Sequence, residues 1–447
     1  MTQNAGTSRF PFAFFSMDRP LFLLLCGQFI SQTGENLYRI ALLWFVAQSS
    51  RHVTDMVVVG VLQTLPPLLF GGPGGVLLDR YDKRRIMIGV DILRGLLVLF
   101  IPILAGLHLL THTVLFLLVF LISALSGLFG PALSSVLPLI VPRERLLRGN
   151  ALLQTTGQAG LLIGPVVAGI LAVVWSASGE MLATGITFLA SAFFLVSIRI
   201  KRETPQSFAV APSTRPGRQG MIEEIAEGVR FVFAPPRKLL SAFLFMTLFG
   251  LVTGPLNIML LVLSRHVLSR GAEGFGDLTG AFGAGMLLST LLLTVYTPRN
   301  ALSFVVGGYA LAGILFIAVG ETHSFSLDLL LFLFWGAAVN VISPLSQTMI
   351  QHMTPPRLLA RVLTVMSVGF LLGILAGILL FPPLTSLIGT REVFSLMGSL
   401  LLTPVLFFGA RSLRRRWSPP AEIPLSTSQI RQRRVAPMTL PDTGDRP

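Results

Sequence analysis

The chain has 447 residues, of which 53% are hydrophobic and 12% charged, with a mean hydropathy of +0.76. Soluble domains carry about 25% charged residues, so half that density over so long a chain implies a polytopic membrane protein. The net charge of +14 does not point to nucleic acid, because the positive residues gather in one set of loops and in the C-terminal tail; one cysteine, Cys26, excludes an internal disulfide, and the six histidines show no HExxH-like ligand spacing.

Residues 1–19 are polar and mixed, with Asp18 and Arg19 before the first apolar run and no small-residue cleavage site after it, so they read as a tail rather than a signal peptide. Twelve apolar runs follow, each long enough to span at ~20 residues per helix. They lie at 20–47, 53–78, 85–107, 112–140, 148–175, 179–198, 239–263, 276–297, 301–320, 325–350, 358–384 and 390–410. The predicted fold is all-α: a polytopic membrane protein of twelve transmembrane helices.

The widest interval, Arg199 to Lys238, separates the sixth and seventh runs. It opens with the polar, Pro-rich RETPQSFAVAPSTRPGRQG, which reads as a flexible linker. It continues as MIEEIAEGVRFVFAPPRKLL, where Ile222, Ile225, Val229 and Val232 keep helical spacing and Glu223, Glu224, Glu227 and Arg230 lie elsewhere on the wheel. A helix lying along the inner face is expected. Beyond Arg411 the chain is basic and Pro-rich and reads as disordered, with Arg414–Arg416 as a topology anchor or an anionic-lipid contact, the anchor favoured. The division is therefore a tail (1–19), a six-helix half (20–199), a linker with an amphipathic helix (200–238), a second six-helix half (239–410) and a basic tail (411–447).

Orientation follows from Lys and Arg. With the N-terminus inside, inner segments hold 28 of the 34, and outer loops hold only Arg51, Arg265, Arg270 and Arg391. Arg39 and Arg94 fall inside predicted helices. This asymmetry places both termini in the cytoplasm. The halves also echo each other: Pro142–Arg148 after the fourth run is matched by Pro355–Arg361 after the tenth, and Gly160, Gly164 and Gly169 by Gly369, Gly373 and Gly377. Such internal repeats are common in transporter folds.

Two stretches carry motifs. In Gly71–Arg85, Gly75, Asp79, Arg80, Lys83 and Arg84 fall on G-x-x-x-D-R-x-G-R-R/K, with Asp82 in place of the pattern's second glycine. In the fifth run, Gly160, Gly164, Pro165 and Gly169 fit G-x-x-x-G-P-x-x-(G/A)-G. Glycines allow close helix approach, and a proline removes one intrahelical bond and bends the helix. With these motifs the chain resembles the major facilitator superfamily. Glu227-Gly228-Val229-Arg230-Phe231 followed by a proline resembles its drug and siderophore exporters, the macrolide-efflux-like and enterobactin-exporter-like subgroup. The resemblance implies two pseudo-symmetric six-helix bundles, a conformational latch in the loop between helices two and three, and an antiport motif in helix five.

Charged residues inside the spans are the candidate chemistry. Glu35 lies in the middle of the first run with Arg39 four residues on, hence on the same face. Either the two neutralise each other as a structural pair, or Glu35 exchanges a proton with substrate. Asp91 and Arg94 are expected to join the latch's charge network. The resemblance implies a buried arginine in helix four, but residues 112–140 contain no Arg or Lys, leaving Arg94 as the substitute. It also places Gln28, Gln32, Asn36, Asn257, Asn340, Ser343 and Gln347 around a central cavity or, for some, in helix–helix hydrogen bonds, with Phe129, Phe249, Trp335 and Phe370 either as apolar lining or in packing and lipid contacts.

The resulting expectation is a proton-coupled exporter of a small amphipathic molecule, working by alternating access as a monomer in the plasma membrane, without cofactor, metal or nucleic acid. No GxxxxGK[ST] and no nucleophile–base set is present, so an enzyme is not expected. The rival readings are an uptake symporter or facilitator, a lipid flippase of the same fold, and a non-transporting receptor or scaffold.

Overall fold

A computed structural model describes residues 18–49, 52–142, 145–175, 177–198, 218–235, 238–295, 301–355 and 358–413; within these, the side chains of 49, 71–80, 147–148, 151, 161, 165, 172–173, 218–225, 238, 272, 291–295, 301–302, 343, 352, 360, 404 and 406–413 are not described. Among the described residues there are helices and no strands. The first six are α1 (Arg19–Ser49), α2 (Val53–Arg80), α3 (Lys83–Gly106), α4 (His112–Ile140), α5 (Leu146–Val174) and α6 (Ala177–Val196). After α7 (Arg218–Phe233) come α8 (Lys238–Thr253), α9 (Leu256–Val262) with a π turn at Leu263–Val267, α10 (Gly271–Val295), α11 (Ala301–Glu321), α12 (Phe325–Met353), α13 (Leu359–Ile388) and α14 (Thr390–Leu413).

Among the described residues, eight spans, taken from α2, α3, α4, α6, α8–α9, α11, α12 and α13, are long and apolar enough to cross a membrane. The other expected runs are present as α1, α5, α10 and α14. Local signals set the boundaries. Asp82 N-caps α3 by accepting from the Arg85 backbone N–H at 3.1 Å, and Thr111 caps α4 by accepting from Val114 at 3.3 Å. The expected seventh run is not one helix. It breaks at Gly254-Pro255, because Pro255 has no N–H to donate and Gly254 is pressed so close to α13 that an added Cβ would lie 2.6 Å from the Ile374 Cα.

The two sets of helices pack by the same rules. In the first set α1 lies on α5 and α6, α2 on α4, and α3 on α4 and α6. In the second set α8 lies on α13, α10 on α12, and α11 on α12. The counterpart of α3 on α6 is α11 on α14, where Gly313 and Gly398 face each other so closely that either Cβ would strike the other's carbonyl oxygen. A backbone-to-backbone seam joins α8 to α13: Gly373 would meet the Thr247 carbonyl, Gly377 that of Leu251, and Gly250 that of Phe370. Small residues let backbones touch where apolar lipid gives no drive to separate side chains from solvent.

The cores show how the halves join. One buried cluster draws on both halves, which join at the end of the molecule holding the α1–α2 connection: Leu37, Tyr38, Ile40 to Ala47, Met56 and Val59 share it with Leu256, Ile258 to Leu263, Phe275 and Ile378. Trp44 stacks on Phe275 at 6.2 Å, and the Arg265 guanidinium donates to the Ala47 carbonyl. At the opposite end the core is split. Leu21, Leu24, Met87, Phe129, Leu153 and Leu195 form one cluster within the first half. Val232, Leu239, Ile350, Leu358 and Val362 form another within the second.

α7 belongs to that second cluster. Val232 is fully buried in it, Glu227 pairs with Arg361, and an added Cβ on Gly228 would lie 3.0 Å from the Arg361 carbonyl. The helix expected to lie along the inner face is therefore seated on the start of α13.

Because the α8–α13 seam is backbone against backbone, added bulk there forces the helices apart, at a cost of about 1–3 kcal/mol or more. Gly377→Val should lower the melting temperature of the detergent-purified protein by several degrees. Gly307→Ala, where an added Cβ meets nothing within 4 Å, should leave it unchanged.

Candidate functional site

α1 is polar along much of its length and survives there because its neighbours come close. On α5, an added Cβ at Gly160 would lie 2.7 Å from the Gln32 Cβ, and one at Gly164 would lie 2.5 Å from the Asn36 Cβ. On the other side Gly34 and Gly27 press against Thr187 and Ser191 of α6. Held between α5 and α6, α1 turns Glu35 toward α3 and α4.

There Glu35 joins a charge network. Its Oε2 pairs with Nη2 of Arg94 and accepts from the Ser126 hydroxyl at 3.2 Å, while Oε1 lies 3.4 Å from Nη2 of Arg39. Arg94 Nη1 lies 3.6 Å from Oδ1 of Asp91. Asp91 in turn accepts from the Ser191 hydroxyl at 2.6 Å and from Ser31 at 3.4 Å. The Arg94 guanidinium also sits over the Phe188 ring, 4.1 Å from its centroid. Asp91 and Arg94 are buried, and the Glu35 side chain is 16% exposed. The four charges sum to zero, the condition under which burying them costs least.

Asp91 and Arg94 were expected in the charge network of the loop between α2 and α3, whose side chains at 71–80 lie outside the described residues; among the described residues Arg94 meets Glu35 of α1 and Phe188 of α6, and Asp91 meets Arg94. Arg94 thus brings to Glu35 the buried guanidinium that α4 lacks. Serines 31, 126 and 191 and Phe188 were not legible as site residues, since single serines and phenylalanines are common on apolar helices.

The other candidates scatter. Gln28 is buried; Gln32 and Asn36 are half-buried beside the α5 glycines, with Asn36 Nδ2 donating to the Gln32 carbonyl at 2.8 Å. Asn257 is half-buried in the first turn of α9. Asn340 is a tie between helices rather than a free lining group: its Nδ2 lies 2.8 Å from the Thr290 hydroxyl, 3.0 Å from that of Ser289 and 3.1 Å from the Met286 carbonyl. Phe129 and Trp335 are core residues, Trp335 stacked 4.5 Å from Phe316. Phe249 stacks with Phe370 at 6.4 Å. Gln347 is exposed, and the side chain of Ser343 lies outside the described residues.

In the motif loop, Gly75, Asp79 and Arg80 lie on α2 where side chains are outside the described residues. Lys83 is half-buried in the first turn of α3. Arg84 caps the end of α6, donating through Nε to the Leu195 carbonyl at 3.0 Å and through Nη2 to that of Val196 at 2.6 Å. In α5, Gly169 faces away from α1 and across to α10, where its Cβ would lie 2.6 Å from the Gly276 carbonyl; the side chain of Pro165 lies outside the described residues. A cavity of about 480 Å³ lies elsewhere, lined by Glu321, His323, Thr390, Arg391 and Glu392. Its floor is fixed by Arg391, paired to the buried Asp328 at 3.1 Å, and it shares no residue with the network.

Removing one partner of a buried ion pair leaves an uncompensated charge, at about 3–5 kcal/mol. Arg94→Met should therefore lower thermal stability markedly in detergent, and adding Asp91→Asn, which restores the charge balance, should recover part of the loss.

Comparison with known proteins agrees with this architecture. The family model described as Major Facilitator Superfamily matches residues 24–378. Macrolide efflux protein A of Streptococcus pyogenes is 22% identical over 384 residues, 85% of this chain and 93% of that protein. The multidrug efflux pump Tap of Mycolicibacterium fortuitum is 24% identical over 404 residues, 87% of this chain and 94% of that one. Among solved structures, a bacterial homolog of the human lysosomal transporter Spinster, crystallised in an inward-facing and unoccupied conformation, superposes with a TM-score of 0.67 at 15% identity, covering 93% of this chain and 100% of that one. With its paired helical halves and a family match over most of its length, the chain belongs to the major facilitator superfamily of transporters.

Proposed function

We propose that the protein is a secondary active exporter, carrying a small amphipathic molecule, drug-like or siderophore-like, out across the plasma membrane in exchange for protons. The observation that carries the reading is Glu35, a partly accessible carboxylate at mid-helix tied to a buried arginine. The efflux proteins among its relatives support the outward direction. The Lys and Arg asymmetry supports cytoplasmic termini, and on that orientation the fused core faces outward and the split end faces the cytoplasm.

In the mechanism, halves 20–199 and 239–410 rock about their shared contacts, with α7 travelling with the second half. Gly169 against α10, and Gly60, whose Cβ would lie 3.1 Å from Ile378 of α13 and 3.2 Å from Ile258 of α9, give close, smooth surfaces for that motion. Gly160 and Gly164 keep α1, and with it Glu35, fixed within the first half. Proton uptake by Glu35 removes its attraction for Arg94 and Arg39, so the network has two charge states for the two access states to read. Gly75, Asp79, Arg80, Lys83 and Arg84 act as the latch of the alternative closure, with Arg84 fixing the loop to α6. The working unit is a monomer in the bilayer with no cofactor.

The test is pH-gradient dissipation in inside-out vesicles energised to an acidic interior and challenged with a panel of amphipathic compounds. Some compounds should release protons rapidly, and Glu35→Gln should reduce that release at least tenfold. Release that survives in Glu35→Gln would make Glu35 structural. No release by any compound, alongside solute accumulation in whole cells, would replace export with uptake.

A further inference from the structure

Arg39 is the most exposed member of the Glu35 network. Its side chain is 42% exposed, yet Leu37, Tyr38 and every residue from Ile40 to Ala47 are buried. At about 100° per residue it lies roughly 40° round α1 from Glu35, toward the side of Gln32. The other faces of α1 are occupied: Gly27 and Gly34 meet α6, Gly160 and Gly164 of α5 meet Gln32 and Asn36, and Glu35 meets α3 and α4. The strip between them, which carries Gln32, Asn36 and Arg39, is partly exposed, and just beyond Arg39 along α1 the buried cluster shared by the two halves begins.

The charges around Glu35 can be counted from each packed element. α1 supplies Glu35 and Arg39, α3 supplies Asp91 and Arg94, α4 supplies the neutral Ser126, and α6 supplies Ser191 and Phe188. α5 meets α1 there through glycines. Without Arg39 the buried set Asp91, Arg94 and Glu35 carries one net negative charge. Neutrality in a low-dielectric site therefore needs one more positive charge. Arg39 holds that place through a single 3.4 Å contact to Oε1, while Oε2 is committed to Arg94 and Ser126.

We infer that Arg39 is a tethered stand-in for the substrate's charge: it neutralises Glu35 in the empty carrier and is displaced by a lipophilic monocation, whose cationic group takes Oε1. The inference rests on reading Glu35 as facing the substrate, but it concerns binding and its test needs no transport. A competitor tethered to the site lowers apparent affinity by the fraction of time it occupies that site. If Arg39 sits on Glu35 about nine-tenths of the time, removing it should tighten cation binding about tenfold.

Equilibrium binding of tetraphenylphosphonium and of tetraphenylborate, a pair alike in shape and opposite in charge, would be measured on the purified full-length protein at pH 8. Arg39→Gln should bind tetraphenylphosphonium about tenfold tighter than wild type and tetraphenylborate no tighter. Arg39→Lys, which keeps the charge, should stay within threefold of wild type, and Glu35→Gln combined with Arg39→Gln should abolish the gain. Unchanged or weaker tetraphenylphosphonium binding by folded Arg39→Gln would overturn the proposal, as would loss of tetraphenylborate binding alone, which would make Arg39 an anion-binding residue. Should Arg39→Gln fail to fold, the wild type decides: it should prefer tetraphenylphosphonium to tetraphenylborate at least tenfold, and the reverse preference would overturn the proposal. Failure of the vesicle assay with success here would leave the binding site standing and remove only the export reading.

Discussion

A carboxylate among apolar helices must be met by positive charge, and the first half of this protein is arranged around that requirement. Glu35 is met from α3 by Arg94, which is itself balanced by Asp91, which is held by two serine hydroxyls. Each link satisfies a cost that the previous one creates. The chain of partners runs through α1, α3, α4 and α6, so four helices are fixed in relative rotation by the need to neutralise one side chain. The exposed member, Arg39, is the one whose position is least constrained.

The glycines do a different job from the charges. Gly160 and Gly164 bring α5 against α1 inside the first half, and Gly373 and Gly377 bring α13 against α8 inside the second. Gly169 and Gly60 instead meet helices of the other half. Contacts of the first kind lock a half as a block, and contacts of the second kind let one block lie smoothly on the other. The core shows the same distinction at larger scale: continuous between halves at one end, divided at the other.

Much of this was legible in the residues. Long apolar runs gave the helices, and the spacing of Gly160 and Gly164 foretold a close partner. Asp91 and Arg94 were visible as buried charges, but not their partner, because sequence proximity pointed to the neighbouring loop while the contact is made across 59 residues to α1. For Asn340 and Trp335 the sequence left lining and packing both open, because a polar or aromatic residue on a membrane helix has the same signature whether it faces a cavity, a neighbouring helix or the core. The break in the seventh run was signalled by Gly254-Pro255. It was missed because prolines are tolerated inside other helices here, such as Pro131 and Pro138 of α4.

The α8–α13 seam limits where new cargo specificity can arise. At Gly250, Gly254, Gly373 and Gly377 the backbones already touch, and at those positions there is no side chain left to trim. Selection for a larger substrate cannot gain room on that wall, and any substitution there adds bulk. The open options lie on the partly exposed face of α1 and on side chains such as Asn340 that tie α10 to α12. A lineage of such carriers should diversify its cargo on those helices while its seam stays glycine.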